Sequence, residues 1–384
     1  MGTHRSATSS RRVAPWVWVA AAIVAVLVLG VIGYRWLGGV SDREGKTAAA
    51  QCVRGDLTVH VAVDPAIDEP LAKTALAFNA TRTVADDYCV KIDVTGVPST
   101  TAMAGLVGTW DKRYGERPAL WVPSSSTWAA RLKTSKATAV AGNPTPLVSS
   151  PVVLAVPTDL RKPLDGVRWI DVPGLQAADG LDSRAEGWGA LRMALPTGAS
   201  SDGTYLAAQS IAAAVTHTSA GPIADAAARG PQVGTTLARL ASAAPTPRAP
   251  TADAALTVLA GEGDAKAGPI HAVPVIEQQL FAYLQTHPGA KLAAVSPSGA
   301  TATATYPAVA LGDGVDEAHS QAAAEFVSFL GTGDHAKELA AAGFRAPNQP
   351  TPRATDAVPF GRFEPLPTPS ESALTAIADA VTAE

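Results

Sequence analysis

The stretch that most limits what this chain can become is residues 119–132, Ala-Leu-Trp-Val-Pro-Ser-Ser-Ser-Thr-Trp-Ala-Ala-Arg-Leu. Leu120, Trp121 and Val122 read as a short buried strand that Pro123 ends. Ser124, Ser125 and Ser126 are then N-cap candidates for a helix opening near Thr127. A strand running into a serine turn and a helix belongs to an α/β sheet. It puts hydroxyls beside the unpaired amides of a helix N-terminus, at the strand end where open α/β sheets hold ligands. Such a site suits a carboxylate, an oxyanion or a sugar hydroxyl; plain capping is the commoner use of the same serines.

The 384 residues allow one large or two medium domains with real cores. With 47% hydrophobic and only 17% charged residues, wholesale disorder is excluded. A net charge of −4 without a long charged block gives no footprint for nucleic acid. Two cysteines, Cys52 and Cys89, are too few for a zinc site of several thiolates.

Residues 1–15 are mostly polar, with Arg5, Arg11 and Arg12, and the chain turns almost wholly apolar from Trp16 to Tyr34. That approaches the roughly 20 residues a helix needs to cross a bilayer. Trp16 and Trp18 at one end, with Tyr34 and Trp36 at the other, match interfacial aromatic belts, which sets a transmembrane helix at 16–37. A core helix of this length would carry a polar face. A cleaved signal peptide has an apolar region of about 7–15 residues with its cleavage site close behind, whereas Ala48-Ala49-Ala50 lies far downstream. The expectation is a retained anchor with 1–15 cytoplasmic, a linker at 38–56 and the bulk of the chain outside. Basic residues flank both ends of the span, so charge hardly decides orientation. An outside location lets Cys52 and Cys89 form a disulfide; otherwise they are two unrelated buried thiols.

Beyond the linker, residues 57–63 alternate as a strand, Asp64-Pro65 turns the chain, and 69–79 read as a helix with Leu71, Ala75 and Phe78 on one face. A strand at 90–94 and a helix at 101–110 lead to the serine turn. Strands follow at 152–156 and 188–195, and the second of these runs into Ser200, Ser201 and a helix over 204–215. A strand at 270–273 precedes a helix that Pro274 opens; strands at 292–295 and 302–311 and helices at 317–330 and 335–342 complete the pattern. This order implies a mainly parallel sheet with covering helices. Residues 348–384 are proline-rich and read as a tail, with room for one short helix between Ser370 and Ala383.

Candidate binding residues are the two serine turns, Ser124, Ser125 and Ser126 in one and Ser200 and Ser201 in the other. Ser149, Ser150, Asp64 and Tyr306 join them near expected strand ends. Catalytic signatures are missing from the sequence. Gly-Ala-Ser-Ser-Asp-Gly at 198–203 is not Gly-x-Ser-x-Gly, the seven histidines form no His-x-x-x-His pair, and no phosphate loop or dinucleotide fingerprint occurs. The expectation is a binding protein without catalytic residues, metal or cofactor.

The runs at 57–64, Ala77-Phe78-Asn79, 120–128, 149–157, 306–311 and 340–345 together resemble the bacterial extracellular solute-binding proteins of the type 2 periplasmic-binding fold. Narrower still is a resemblance to membrane-anchored members that in relatives precede a von Willebrand factor A domain, although no Asp-x-Ser-x-Ser metal motif occurs in this sequence. The resemblance implies a two-lobed α/β domain over 57–347 behind the anchor. Its first lobe would hold about 57–150 and 312–347 and its second about 151–300, with crossing strands at 152–156 and 302–311. It also implies an interlobe cleft for a small polar or anionic ligand. The alternative is a surface module that has lost its ligand and meets a protein partner on the same fold.

Overall fold

The computed structural model describes residues 52–382 apart from Ala199, Ser219, Pro247 and Glu262. The expected membrane helix at 16–37 lies outside these residues. Among the described residues, no helix is long and apolar enough to cross a membrane.

The first strand, β1 (Asp56–Val63), buries Val59, Val61 and Val63 on alternate positions. Helix Pro65–Ala80 follows it directly, with Ile67, Leu71, Ala75 and Phe78 buried at helical spacing. Phe78 meets Phe326 and Phe329 edge-on at 5.4 and 5.2 Å, which locks this helix against Glu317–Leu330. After the short β2 (Val84–Ala85), β3 (Tyr88–Gly96) pairs in parallel with β1, in register Val61 to Val94. Helix Ser99–Val107 then leads to β4 (Leu120–Val122), which takes the other side of β1 in parallel. With β5 (Thr145–Pro146) and the returning β11 (Pro307–Ala310), these strands make a six-stranded sheet in the order β2-β3-β1-β4-β11-β5. Cys52 and Cys89 are joined in a disulfide, with Cα atoms 5.0 Å apart.

The second sheet is built on β6 (Ser150–Pro157), in which all eight residues are buried. It pairs antiparallel with β7 (Val273–Ile276), β8 (Leu292–Val295) and the short β10 (Thr303–Ala304). Chain passes between the sheets where β5 leads to β6, and again between β10 and β11 through Thr305 and Tyr306. Tyr306 holds a positive φ of 37° there. Across this junction the buried Glu277 carboxylate takes two bonds of 3.0 Å from the Arg345 guanidinium.

Several expectations need correction. Residues 188–195 form no strand; they wind through turns in which Gly187 and Gly189 hold positive φ, touching the sheet only at the bridge Met193 to Ala272. Pro274 opens no helix. It lies inside β7, an edge strand whose outer side needs no amide donor, and the helix begins at Glu277. Helices Pro231–Ser242 and Ala252–Leu259 fill a region left unassigned from sequence. The proline-rich end carries the short helix expected between Ser370 and Ala383 but is folded onto the domain instead of trailing from it: β12 (Glu364–Pro365) pairs with β9 (Ala300–Thr301), and helix Glu371–Thr382 buries Ala373, Leu374, Ile377 and Val381. Those four side chains repeat at helical spacing, so one face of the helix is apolar enough to pack.

Candidate functional site

The site grows from the end of β1. Asp64 leaves the strand by donating its N–H to the Val122 carbonyl at 2.8 Å, and its carboxylate caps helix Pro65–Ala80 by accepting the Ala66 amide at 3.1 Å. The other carboxylate oxygen accepts the Ser99 hydroxyl at 2.7 Å. Ser99 Oγ in turn accepts the Ser124 amide at 3.0 Å and lies 3.4 Å from Ser124 Oγ. Because the one Ser99 proton goes to Asp64, the Ser124 proton is left to donate elsewhere. It goes to Asp202, the first residue of helix Asp202–Val215, which also accepts the Trp128 indole. A continuous chain of hydrogen bonds therefore runs from Asp64 through Ser99 and Ser124 to Asp202, crossing from the first sheet's helices to the second's.

Four helices begin around this chain: Pro65–Ala80, Ser99–Val107, Ser126–Ser135 and Asp202–Val215. Their N-terminal dipoles favour negative charge. The chain supplies that charge itself, through Asp64 and Asp202. Burial opposes both carboxylates. It is the larger cause that pushes Asp64 up to about 7, with the charge of Asp202 adding to it and the bonds from Ser99 and Ala66 working against it. Asp202 is raised as well, mainly by burial, against the bonds from Ser124 and Trp128. Two such carboxylates near neutral pH hold fewer than two charges between them. Tyr306 is fully buried behind them and its hydroxyl has no hydrogen-bond partner; burial and the charges of Asp64 and Asp202 push that phenol well above its ordinary range.

A cavity of about 380 Å³ opens over the pair. Asp64, Ser125, Ser200 and Ser201 line it, as does Asp202. Ser125 and Ser201 are N-caps whose side chains make no capping bond, and Ser200 holds a positive φ of 56°. The other sequence candidates lie elsewhere. Ser124 sits beneath the cavity in the hydrogen-bond chain. The Ser126 amide donates to Thr305 at 3.0 Å, and its hydroxyl lies 3.3 Å from that of Thr368. Ser149 pairs with Arg345 through the backbone, and Ser150 Oγ accepts the Gln278 amide at 2.9 Å; both hold the junction between the sheets.

Sequence reasoning misses Asp202, Ser99, Trp128, Tyr205 and Arg131. Asp202 stands directly after the serine turn, where an acid is ordinary dipole chemistry, and nothing local shows that it faces Asp64. Arg131 supplies the only basic side chain lining the cavity among the described residues, with its guanidinium 5.1 Å from the Trp128 ring. Among the described residues, no group of three or more His, Cys, Asp or Glu could hold a metal ion.

Known proteins share this architecture. Uncharacterized protein MT1884 of Mycobacterium tuberculosis strain CDC 1551 and Rv1836c of strain H37Rv are each 36% identical to the chain over 371 residues, 95% of this chain and 53% of theirs. The chain thus spans about half the length of the curated relatives it matches. Among solved structures, the sulfate-binding protein SubI from Mycobacterium tuberculosis is similar with a TM-score of 0.54 and 18% identity, over 84% of this chain and 96% of that one. Iron-bound HitA from Pseudomonas aeruginosa gives 0.57 and 12%, over 85% and 97%. At these identities the likeness concerns the fold. Residues 59–345 match the family described as bacterial extracellular solute-binding protein, and with most of the described domain inside that match, the chain belongs to this family of binding proteins.

Proposed function

We propose that the cavity over Asp64 and Asp202 holds a small, polar, hydrogen-bond-donating solute, and that residues 16–37 anchor the domain on the outer face of a membrane. The observation that carries the solute reading is the internal carboxylate pair. Relatives of this fold include a sulfate-binding and an iron-bound protein, and four helix N-termini would suit an anion by themselves. Here the donors at Ser124 and Trp128 are already given to Asp202, so an anion would have to displace a carboxylate of the chain itself. A solute that offers O–H or N–H groups instead meets two carboxylates and the hydroxyls of Ser99, Ser125 and Ser200. The anchor reading is supported by the apolar span in the sequence, by the Cys52–Cys89 disulfide and by membership of an extracellular family. The greater length of the curated relatives fits placement among members followed by a von Willebrand factor A domain.

The test is a melting-temperature screen of the full chain in detergent against polyols, sugars and amino acids, with sulfate as the anionic comparison. A bound solute must raise the melting temperature. Ser125→Ala and Ser200→Ala should each weaken its binding by about 0.5–1.5 kcal/mol, several-fold in affinity. Unchanged affinity in both, or sulfate stabilising more than any polar solute, would remove the reading. A second reading, a surface module that meets a protein partner without a solute, is favoured by Asp202 already taking the donors of Ser124 and Trp128; a screen in which no solute stabilises the chain would select it.

A further inference from the structure

The walls of the cavity do not come only from the segment that matches the family. That match ends at residue 345, yet Leu374, Ile377, Ala378, Asp379 and Thr382 of the C-terminal helix line the same cavity as Asp64 and Asp202. The helix is fastened to the second sheet's side. The strand β12 leads into it by pairing with β9, Ser370 is hydrogen-bonded to Asp225, Arg229 is hydrogen-bonded to Ser372, and the helix packs on Asp202–Val215 and Pro231–Ser242. From that seat it reaches across to helix Ser126–Ser135, which belongs to the first sheet's side. Leu374 and Ile377 are 4% and 1% exposed, and on the floor of the cavity Asp64 is 4% and Ser125 8% exposed.

We propose that helix Glu371–Thr382 is a lid on this cleft: it forms the wall that sets how large a solute fits, and it moves aside to let one reach the floor. An element attached to one lobe and only resting on the other has the layout of a hinged closure. It meets the first lobe at helix Ser126–Ser135. The hydroxyls of Ser126 and Thr368, 3.3 Å apart, add a polar contact just ahead of the helix. Opening therefore breaks few directional bonds there, while Ser370 and Ser372 stay fastened. Leu374 and Ile377 are the side chains whose size decides how tightly it closes.

The lid is tested by access, without any solute, so its failure is separable from failure of the solute reading. Ser125→Cys places a thiol on the cavity floor of the full chain in detergent, and Leu76→Cys, at a position 72% exposed, gives the unprotected rate. A charged methanethiosulfonate reagent should label the floor thiol roughly a hundredfold more slowly than the surface thiol, because the floor is reached only through local opening. Adding Leu374→Ala and Ile377→Ala should speed labelling of the floor thiol by about tenfold or more, with the surface rate unchanged and the melting temperature still above that of the assay. Leu374→Asp with Ile377→Asp should speed it further. Should the aspartate variant fail to fold, the alanine variant and the comparison in the unaltered helix still decide. Labelling of the floor thiol at the surface rate with the helix intact, or at an unchanged rate once Leu374 and Ile377 are cut back, overturns the lid.

Discussion

Asp64 should make this protein less stable as the solution becomes less acidic. Its carboxyl titrates at 3.8 in the unfolded chain and is pushed up to about 7 in the fold. Between those values the folded form holds a proton the unfolded form has lost, so stability is greatest below pH 4 and falls as pH rises toward 7. At about 1.36 kcal/mol per pH unit, the whole interval is worth about 4 kcal/mol, an upper figure because Asp202 shares the proton. Asp64→Asn removes the ionisation while keeping an oxygen to cap Ala66, at the cost of disturbing the Ser99 bond by roughly 1 kcal/mol. Urea denaturation of wild type and variant from pH 4.5 to 8, in one buffer series, cancels the groups that titrate alike in both and leaves Asp64 with the part of Asp202 coupled to it. The variant should be equal or slightly weaker at the acid end and stronger by about 3 kcal/mol at pH 8, the two lines diverging by roughly 1 kcal/mol per pH unit between. A difference that does not change with pH would refute the argument that Asp64 is held protonated by burial and by Asp202.

Other consequences can be checked in the same protein. Arg345→Met leaves Glu277 buried without its partner and should cost about 3–5 kcal/mol at pH 8, less in acid where Glu277 protonates, as read by urea midpoints at both pH values. Replacing Cys52 and Cys89 by serine should cost about 2–4 kcal/mol, and alkylation of the unreduced wild type should find neither thiol free. Gly203→Ala drives a methyl to within 2.6 Å of the Val275 Cα, so the helix carrying Asp202 must shift off β7; a loss of about 1–3 kcal/mol and a flatter pH dependence should follow. Protease added to intact cells with an accessible outer face should remove the large domain, and complete protection would place it inside.

Much of the first sheet can be read because its instructions are local. Alternating valines mark β1, Leu71, Ala75 and Phe78 mark the following helix, and Pro123 with three serines marks the turn into the next. Asp64 and Ser125 are visible for the same reason: each follows a strand and precedes a helix. What stays hidden depends on distant residues. The partner of Asp64 is 138 positions away in Asp202, across the cleft. Pro274 looks like a helix opener because edge-strand tolerance cannot be seen without knowing which strand lies at the edge. Residues 188–195 carry strand-like apolar spacing, but the turns about Gly187 and Gly189 keep them out of the ladder. The C-terminal helix announces its apolar face in Ala373, Leu374, Ile377 and Val381, while its place over the cleft is decided wholly by the surface it meets.

The disulfide also bears on how the domain carries a mechanical load. Chain arriving from the N-terminal side reaches Cys52 before β1, and Cys89, its partner, is the residue paired with Asp56 at the start of the β1–β3 ladder. Traction on the chain ahead of Cys52 therefore divides between two adjacent parallel strands that would have to shear together, instead of peeling β1 away one hydrogen bond at a time.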